Sequence, residues 1–413
     1  MKGILVIIDG LGDLPNKQLD NKTPLESANT PNMNFFATRG ELGFMYPVKP
    51  GFVPESDEAL LSIFGNQPTK SSRGWLEATG ANAKISRGDL IFRTNFATTD
   101  EEKNITDRRA GRNITTKEAK ELSRALNKIE LPCKFQFIPT VQHRGILIFK
   151  GGHSDNITGN DHTYTLGKIK LATTFTTAKA LDDTENTLNT ANIVNEFLTK
   201  SKGILQRHPV NKKRKEKGLL PANQLLIRGG GIEPPTLKQY KFWLAPNTMP
   251  LEIGFAKLSG MKTLSTDYPK LKKIDAYENL FQGLKKHCNH IIKILNKNLK
   301  KYDYTYIHIK ETDLPGHDNK PLEKKEMIEY IDKALFKYLR KIIPQNKIKL
   351  IVTADHSTPC KQKIHTADPV PVLYYNETSL LKEKKFSEKE ARIGLLGRIE
   401  GAELLQKAGF VKQ

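Results

Sequence analysis

The chain has 413 residues, 38% of them hydrophobic and 8% aromatic, and a formal net charge of +21. That length exceeds one ordinary core and suits two domains or one domain with a large insertion, and the apolar content excludes wholesale disorder. No run approaches the roughly 18 apolar residues that a membrane-spanning helix needs, and the opening apolar run is cut by Asp9 too early for a secretory leader, so a soluble, cytoplasmic protein is expected.

Ile4–Ile8 form a continuous apolar run that ends in Asp9-Gly10. This is the pattern of a strand buried on both faces of a parallel sheet. Next, Pro54-Glu55-Ser56-Asp57-Glu58 precedes a helix-like run, Ala59 to Phe64. The spacing puts Ser56 near a helix N-terminus, where a phosphate finds free N–H groups. A serine before acidic residues is ordinarily just an N-cap, and a metal contact would turn it into a nucleophile.

From about residue 90 to 235 the pattern changes. Strand-like runs such as Gly145 to Phe149, a helical stretch Thr116 to Lys128 and a polar segment Asn156 to Lys200 read as a second, α+β domain inserted into the first. Within it, Arg108, Arg109 and Arg112 fall within five residues, and arginine forks match phosphate and carboxylate bidentately. His143-Arg144 precedes a strand and Arg228 follows the run Leu225 to Ile227. The basic cluster Lys212, Lys213, Arg214, Lys215 and Lys217 reads as a solvated loop or helix face. Lysines are spread along the whole chain without an aromatic-interleaved stripe, so the charge suits a small anionic substrate and no nucleic-acid partner is expected.

The last part returns to strands and helices in alternation. Tyr304 to Ile309 is followed by Asp313, Ile348 to Thr353 by Asp355, and Val370 to Tyr375 is a further strand-like run. Leu280 to Leu299 and Asp332 to Ile343 carry apolar residues at helical spacing. The expected core is therefore α/β, a parallel sheet with helices on both faces, and ligands of such sheets gather beyond the carboxyl ends of strands. Asp9, Asp313 and Asp355 all lie there, with His317, His356 and His365 close by. Carboxylates with imidazoles suit manganese, zinc, cobalt or iron, and magnesium less well. With Ser56 the set has seven members, too many for one tetrahedral site and fitting two cations roughly 3.5–4 Å apart. His153, His208, His287, His290 and His308 are assigned to surface or hydrogen-bonded roles. The three cysteines, Cys133, Cys288 and Cys360, are odd in number and lack CxxC spacing, so neither a disulfide framework nor a cysteine zinc site is expected.

The motifs IIDGLGD at 7–13, KTPLESANTPNM at 22–33, PESDEALLSIFG at 54–65, DRRAGR at 107–112, PANQLLIRGGG at 221–231, HIKETDLPGHD at 308–318, TADHSTP at 353–359 and HTADPVP at 365–371 together resemble the archaeal-type, cofactor-independent phosphoglycerate mutases of the alkaline phosphatase superfamily. The resemblance runs along nearly the whole chain. It implies an alkaline-phosphatase-like core at 1–89 and 236–413 and an inserted substrate-binding lid at 90–235. It implies interconversion of 3-phosphoglycerate and 2-phosphoglycerate, in glycolysis and gluconeogenesis, through a phosphoserine on Ser56 and without 2,3-bisphosphoglycerate. Two divalent cations are implied, manganese foremost, with zinc, cobalt or magnesium as alternatives. Asp9, Ser56, Asp355 and His356 would hold one, and Asp313, His317 and His365 the other. Arg108, Arg109, Arg112, His143, Arg144 and Arg228 would bind the substrate. The alternative on the same scaffold is a related metal-dependent phosphotransferase or phosphatase, for example one acting on homoserine; the oligomeric state is not read.

Overall fold

Gly3–Ile8 form strand β1, and all six residues are buried. The computed structural model of the chain describes residues 1–69, 72–270, 275–376 and 384–411. In chain order the further strands are β2 (Glu41–Tyr46), β3 (Leu90–Thr99), β4 (Ile105–Asp107), β5 (Phe135–Pro139), β6 (Arg144–Phe149), β7 (Tyr164–Thr165), β8 (Lys168–Ile169), β9 (Gln224–Gly231), β10 (Trp243–Ala245), β11 (Lys262–Thr263), β12 (Tyr304–Ile309), β13 (Lys349–Thr353), β14 (Val370–Tyr375) and β15 (Gly397–Glu400). Among the described residues they make an eight-stranded sheet of order β11-β10-β12-β1-β13-β14-β2-β15 and a five-stranded sheet of β4, β3, β6, β5 and β9, with β7 and β8 as a separate pair.

The large sheet is α/β and mainly parallel, as expected. β1 runs parallel to β12 and β13 on either side, with Ile8 opposite Ile309 and Ile7 opposite Thr353. Being central and covered on both faces, β1 has no polar side of its own. One strand departs from the expected direction: β14 is antiparallel to both β13 and β2. The 16 residues between β13 and β14 contain no helix. A parallel return needs a crossover, usually helical, so this short loop reverses the chain instead.

The five-stranded sheet is antiparallel and takes its strands from residues 90–231. Its residues alternate between two apolar clusters. Leu90, Phe92, Phe96, Leu147 and Phe149 join Leu122, Val194, Phe197 and Leu205 on one face. Ile91, Ile146 and Ile148 meet Trp75 and Ala78 on the other, as the two-residue period of a strand dictates. The helix carrying Trp75, Ser72–Gly80, also packs on the helix Pro250–Leu258 beside the large sheet. Two glycines allow this. A Cβ on Gly80 would lie 1.7 Å from the Pro250 carbonyl oxygen, and one on Gly254 1.8 Å from that of Leu76, so the helices touch backbone to backbone.

The predicted helices form at Thr116–Leu126, Ala276–Asn298 and across Pro321–Gln345, the last longer than its apolar period showed. A 23-residue helix, Glu185–Arg207, begins in the polar segment and runs past its end; its Asn and Thr residues masked the stripe of Val194, Phe197, Leu198 and Leu205. The basic cluster falls in and just after the helix Pro209–Glu216, and there the expectation of a solvated face needs correction. Arg214 is buried, donating to the carbonyls of Leu220 (2.9 Å) and Ala110 (3.2 Å) and pairing with Glu118 at 3.2 Å. Among the described residues, no helix is long and apolar enough to cross a membrane.

Candidate active site

The register of the large sheet creates the site. Ile8 and Ile309 are level, so Asp9 and Lys310 leave their strands side by side, and Thr353 ends its strand at the same edge. β14 runs the other way, so its start lies at that edge too, and the segment before it delivers His365. Asp9, Asp313, His317, Asp355, His356 and His365 therefore meet at one rim. The antiparallel turn that the sequence pattern missed is what brings the last of them there.

Ser56 opens the helix Ser56–Ile63, whose cap is Glu55 rather than the serine; the Glu55 N–H donates to the Glu58 carboxylate at 2.8 Å. That leaves the Ser56 hydroxyl free to face the rim. Its Oγ accepts from Lys310 Nζ at 2.7 Å and lies 3.4 Å from His356 Nε2.

His317 Nδ1 lies 2.9 Å from the carbonyl of Lys363, and His365 Nδ1 lies 2.9 Å from that of Pro54. A carbonyl only accepts, so both Nδ1 atoms carry hydrogen and both Nε2 atoms face inward. There they lie 3.4 and 3.6 Å from the Asp313 carboxylate. Nε2 of His356 is 3.3 Å from Asp9 and 3.4 Å from Asp355. Imidazole nitrogens aimed at carboxylates demand a shared cation or proton. Ligand atoms of Asp313, His317 and His365, of Asp9, Asp313 and His356, and of Asp9, Glu252 and His308 each lie within 4.8 Å of one another. The Asp9 oxygens and Asp355 Oδ2 are buried, with the Lys310 ammonium on Asp9 and the His308 and His356 rings at 3.3–3.5 Å as their close polar neighbours. Buried carboxylates are costly, and the donor set fits divalent cations.

The electrostatics point the same way. Burial pushes the Asp9 carboxyl up to about 6, and the Asp355 charge adds to the effect. Burial alone would lower the His308 pKa, but the adjoining Asp355 and Asp9 carboxylates outweigh that and raise it to about 9. Lys310 is likewise raised against its burial, by the charges of Asp9 and Glu252. A rim this rich in carboxylate holds every proton and ammonium it can reach.

The arginines divide. Arg109, His143 and Arg144 line a small cavity of about 40 Å³ with Lys310, Glu311, Asp313 and His317. Arg108 and Arg109 reach a second cavity beside His317 and His365. Arg108 also pairs with Asp161, and Arg112 with Asp318. Arg228 stacks over the Tyr164 ring at 3.4 Å and pairs with Glu55 at 2.5 Å, next to Ser56. Arg112 and Arg228 therefore bridge the five-stranded sheet region to the rim.

Three contributors escaped sequence reasoning, and a fourth was assigned elsewhere. His308, assigned to the bystander class, is fully buried, with Nε2 3.4 Å from Asp9 and 3.5 Å from Asp355. Lys310 obeys the same strand-end rule that picked out Asp313, so its signal was present. Thr358, five residues past β13, was also within reach of that rule, whereas Glu252, 3.6 Å from Lys310, had no such signal, since it lies inside the helix Pro250–Leu258. His287 and His290 bond the carbonyls of Pro246 and Leu264, and His208 caps a helix, as expected for residues outside the site.

A family model described as 2,3-bisphosphoglycerate-independent phosphoglycerate mutase matches residues 37–211. The chain is 38% identical over 409 residues to an enzyme of that name from Pyrococcus furiosus, covering 98% of this chain and 95% of the relative. It is 38% identical over 422 residues to another from Archaeoglobus fulgidus, covering 99% and 97%. Among solved structures, a Pyrococcus horikoshii protein superposes with a TM-score of 0.74 at 29% identity, covering 100% of this chain and 98% of that one. The cofactor-independent phosphoglycerate mutase of Thermoplasma acidophilum gives 0.54 at 28% identity, covering 99% of both. With the rim, the serine and a likeness that spans the full length, the chain belongs to the 2,3-bisphosphoglycerate-independent phosphoglycerate mutases.

Proposed function

We propose that this chain interconverts 3-phosphoglycerate and 2-phosphoglycerate by passing the phosphoryl group through Ser56. One observation carries the reading: the Ser56 hydroxyl opens onto a rim of six carboxylate and imidazole side chains and accepts from Lys310 at 2.7 Å. Asp9, Ser56, Asp355 and His356 would hold one divalent cation, and Asp313, His317 and His365 the other, with manganese the best match and zinc, cobalt or magnesium admissible. When bound, the pair supplies charge neutralisation for the transferred group and acidifies the serine hydroxyl.

In the first half-reaction Ser56 Oγ attacks phosphorus as the glycerate oxygen departs in line. The serine gives up its proton and the departing oxygen takes one up, which leaves phosphoserine and glycerate. Lys310 stabilises the negative charge on Oγ, and Arg109 and Arg144 hold the substrate's anionic groups in the adjoining cavity. Glycerate then reorients, and its other hydroxyl attacks the phosphoserine, restoring Ser56. Two inversions give net retention at phosphorus.

Residues 90–235 act as a lid inserted into the cation-binding core of 1–89 and 236–413. Support comes from the pairs Arg228 with Glu55 and Arg112 with Asp318, and from the Val53 N–H, which donates to the Gly167 carbonyl at 3.0 Å. A closed lid excludes water, which would otherwise hydrolyse the phosphoserine. Ser56→Ala should abolish turnover of 3-phosphoglycerate while its content of bound cations stays normal. Undiminished mutase activity in that variant overturns the proposal, and turnover only of homoserine with ATP would reassign the substrate.

A further inference from the structure

Thr358 lies behind the rim, fully buried, in the loop that carries Asp355 and His356. Its hydroxyl makes two contacts. Oγ1 donates to Asp313 Oδ1 at 2.8 Å, and His356 Nδ1 lies 3.0 Å away. A hydroxyl has one hydrogen, and a carboxylate can only accept. The hydrogen therefore goes to Asp313, and His356 must be the donor in the other contact. That fixes the His356 hydrogen on Nδ1 and leaves Nε2 bare toward Asp9, Asp355 and Ser56.

The threonine is itself held. Its carbonyl accepts from Lys324 Nζ at 3.0 Å, and its N–H donates to the Gly12 carbonyl at 3.0 Å. The Lys324 ammonium is buried and pairs with Asp13 at 2.7 Å. Asp13 in turn accepts the Cys360 N–H at 3.1 Å. This ion pair ties the loop after β1 to the loop after β13, with Thr358 between them. A buried ammonium with carboxylate and carbonyl acceptors resists displacement, because moving it away would leave charge unpaired.

We infer that Thr358 is a positioning residue that couples the two halves of the cation site, setting the His356 tautomer for one half and the Asp313 orientation for the other, with Lys324 and Asp13 as its anchor. The inference rests on the two-cation reading above. Such outer partners typically change metal affinity about 10–100-fold when removed.

Isothermal titration of manganese(II) into the chelator-treated full chain tests it. Thr358→Val keeps the shape and loses the hydroxyl; Thr358→Ser keeps the hydroxyl. Binding should weaken about 10–100-fold in the valine variant and stay near wild type in the serine variant, both titrated well below their metal-free melting temperatures so that only folded protein is compared. Equal affinity in wild type and Thr358→Val overturns the inference. A wild-type chain that takes up no cation overturns the two-cation reading itself. A second measurement needs no variant. In the metal-free wild-type chain, ¹⁵N-labelled histidine spectra should show His356 protonated at Nδ1; a ring protonated at Nε2 alone overturns the assignment.

Discussion

Lys310 Nζ stands 2.7 Å from Ser56 Oγ across 254 residues of sequence, and the same ammonium pairs with Asp9. Ser56, the proposed nucleophile, is thus placed against a fixed positive charge before any substrate arrives. Because that charge acts on Oγ chiefly when negative charge develops there, Lys310→Met should lower kcat and kcat/KM together, by roughly 10²–10³. Cation binding should persist, since the variant removes a competitor for the Asp9 carboxylate. Steady-state kinetics beside calorimetric titration checks this, and a change confined to KM would contradict it.

The buried carboxylates of Asp9 and Asp355 lie within a rim that also holds Asp313. Without cations they repel. Chelation should therefore abolish activity and lower the melting temperature, and manganese at a thousand times its dissociation constant should restore about 4 kcal/mol. Calorimetric unfolding with and without chelator measures this; equal stability in both states argues against a cation site.

Gly254 lets two helices meet where a Cβ would lie 1.8 Å from the Leu76 carbonyl oxygen. Backbone on both sides cannot give way as a flexible side chain would. Gly254→Val should cost about 3 kcal/mol, read as a lower urea midpoint at unchanged slope.

Arg214 differs from its neighbours in the basic cluster, although the sequence offers no distinction. Arg214→Met strands the buried acceptor Ala110 O, removes a donor to Leu220 O and leaves Glu118 without its buried partner, and should cost about 3 kcal/mol. Lys213→Met and Lys215→Met, on the exposed face of the same helix, should stay within about 0.5 kcal/mol. Denaturant titration of the three variants compares them directly.

His287 is buried and hydrogen-bonded to the Pro246 carbonyl. Burial brings its pKa down to about 3, against 6.5 for a free histidine. The unfolded chain therefore binds a proton that the folded chain refuses. The group's contribution is fully present above pH 6.5 and is lost as pH falls toward 3, by about 1.4 kcal/mol per pH unit. His287→Gln keeps a hydrogen-bonding side chain and cannot titrate. Its melting temperature should fall less steeply between pH 7 and pH 5 than that of the wild type; parallel pH profiles would refute the assignment.

The rim's carboxylates and imidazoles were largely legible in the sequence, and so was the α/β core. Ile4–Ile8 and Tyr304–Ile309 announce buried strands by apolar continuity alone, and the groups that follow them are brought to one edge by any parallel sheet. His308 shows the limit of that reasoning. Its position in β12 gave no sign that Asp9 and Asp355 would flank it, because those neighbours arrive from two other strands. His365 was named from its motif, yet the reversal of β14 that delivers it to the rim came from the lack of a helix in the preceding loop.

Local pattern sets which residues are strand, helix or polar loop, since apolar period and capping chemistry act within a few neighbours. Asp9, Ser56, Asp313, Asp355 and their histidines could be named on that basis. Whether Arg214 is solvated, whether Lys310 meets Ser56 and which nitrogen of His356 carries hydrogen all depend on partners about a hundred residues or more away, or on a single hydroxyl in the same loop held by such partners. Register, strand direction and burial decide those, because an ion pair or a tautomer is a property of the neighbours and only the folded chain chooses them.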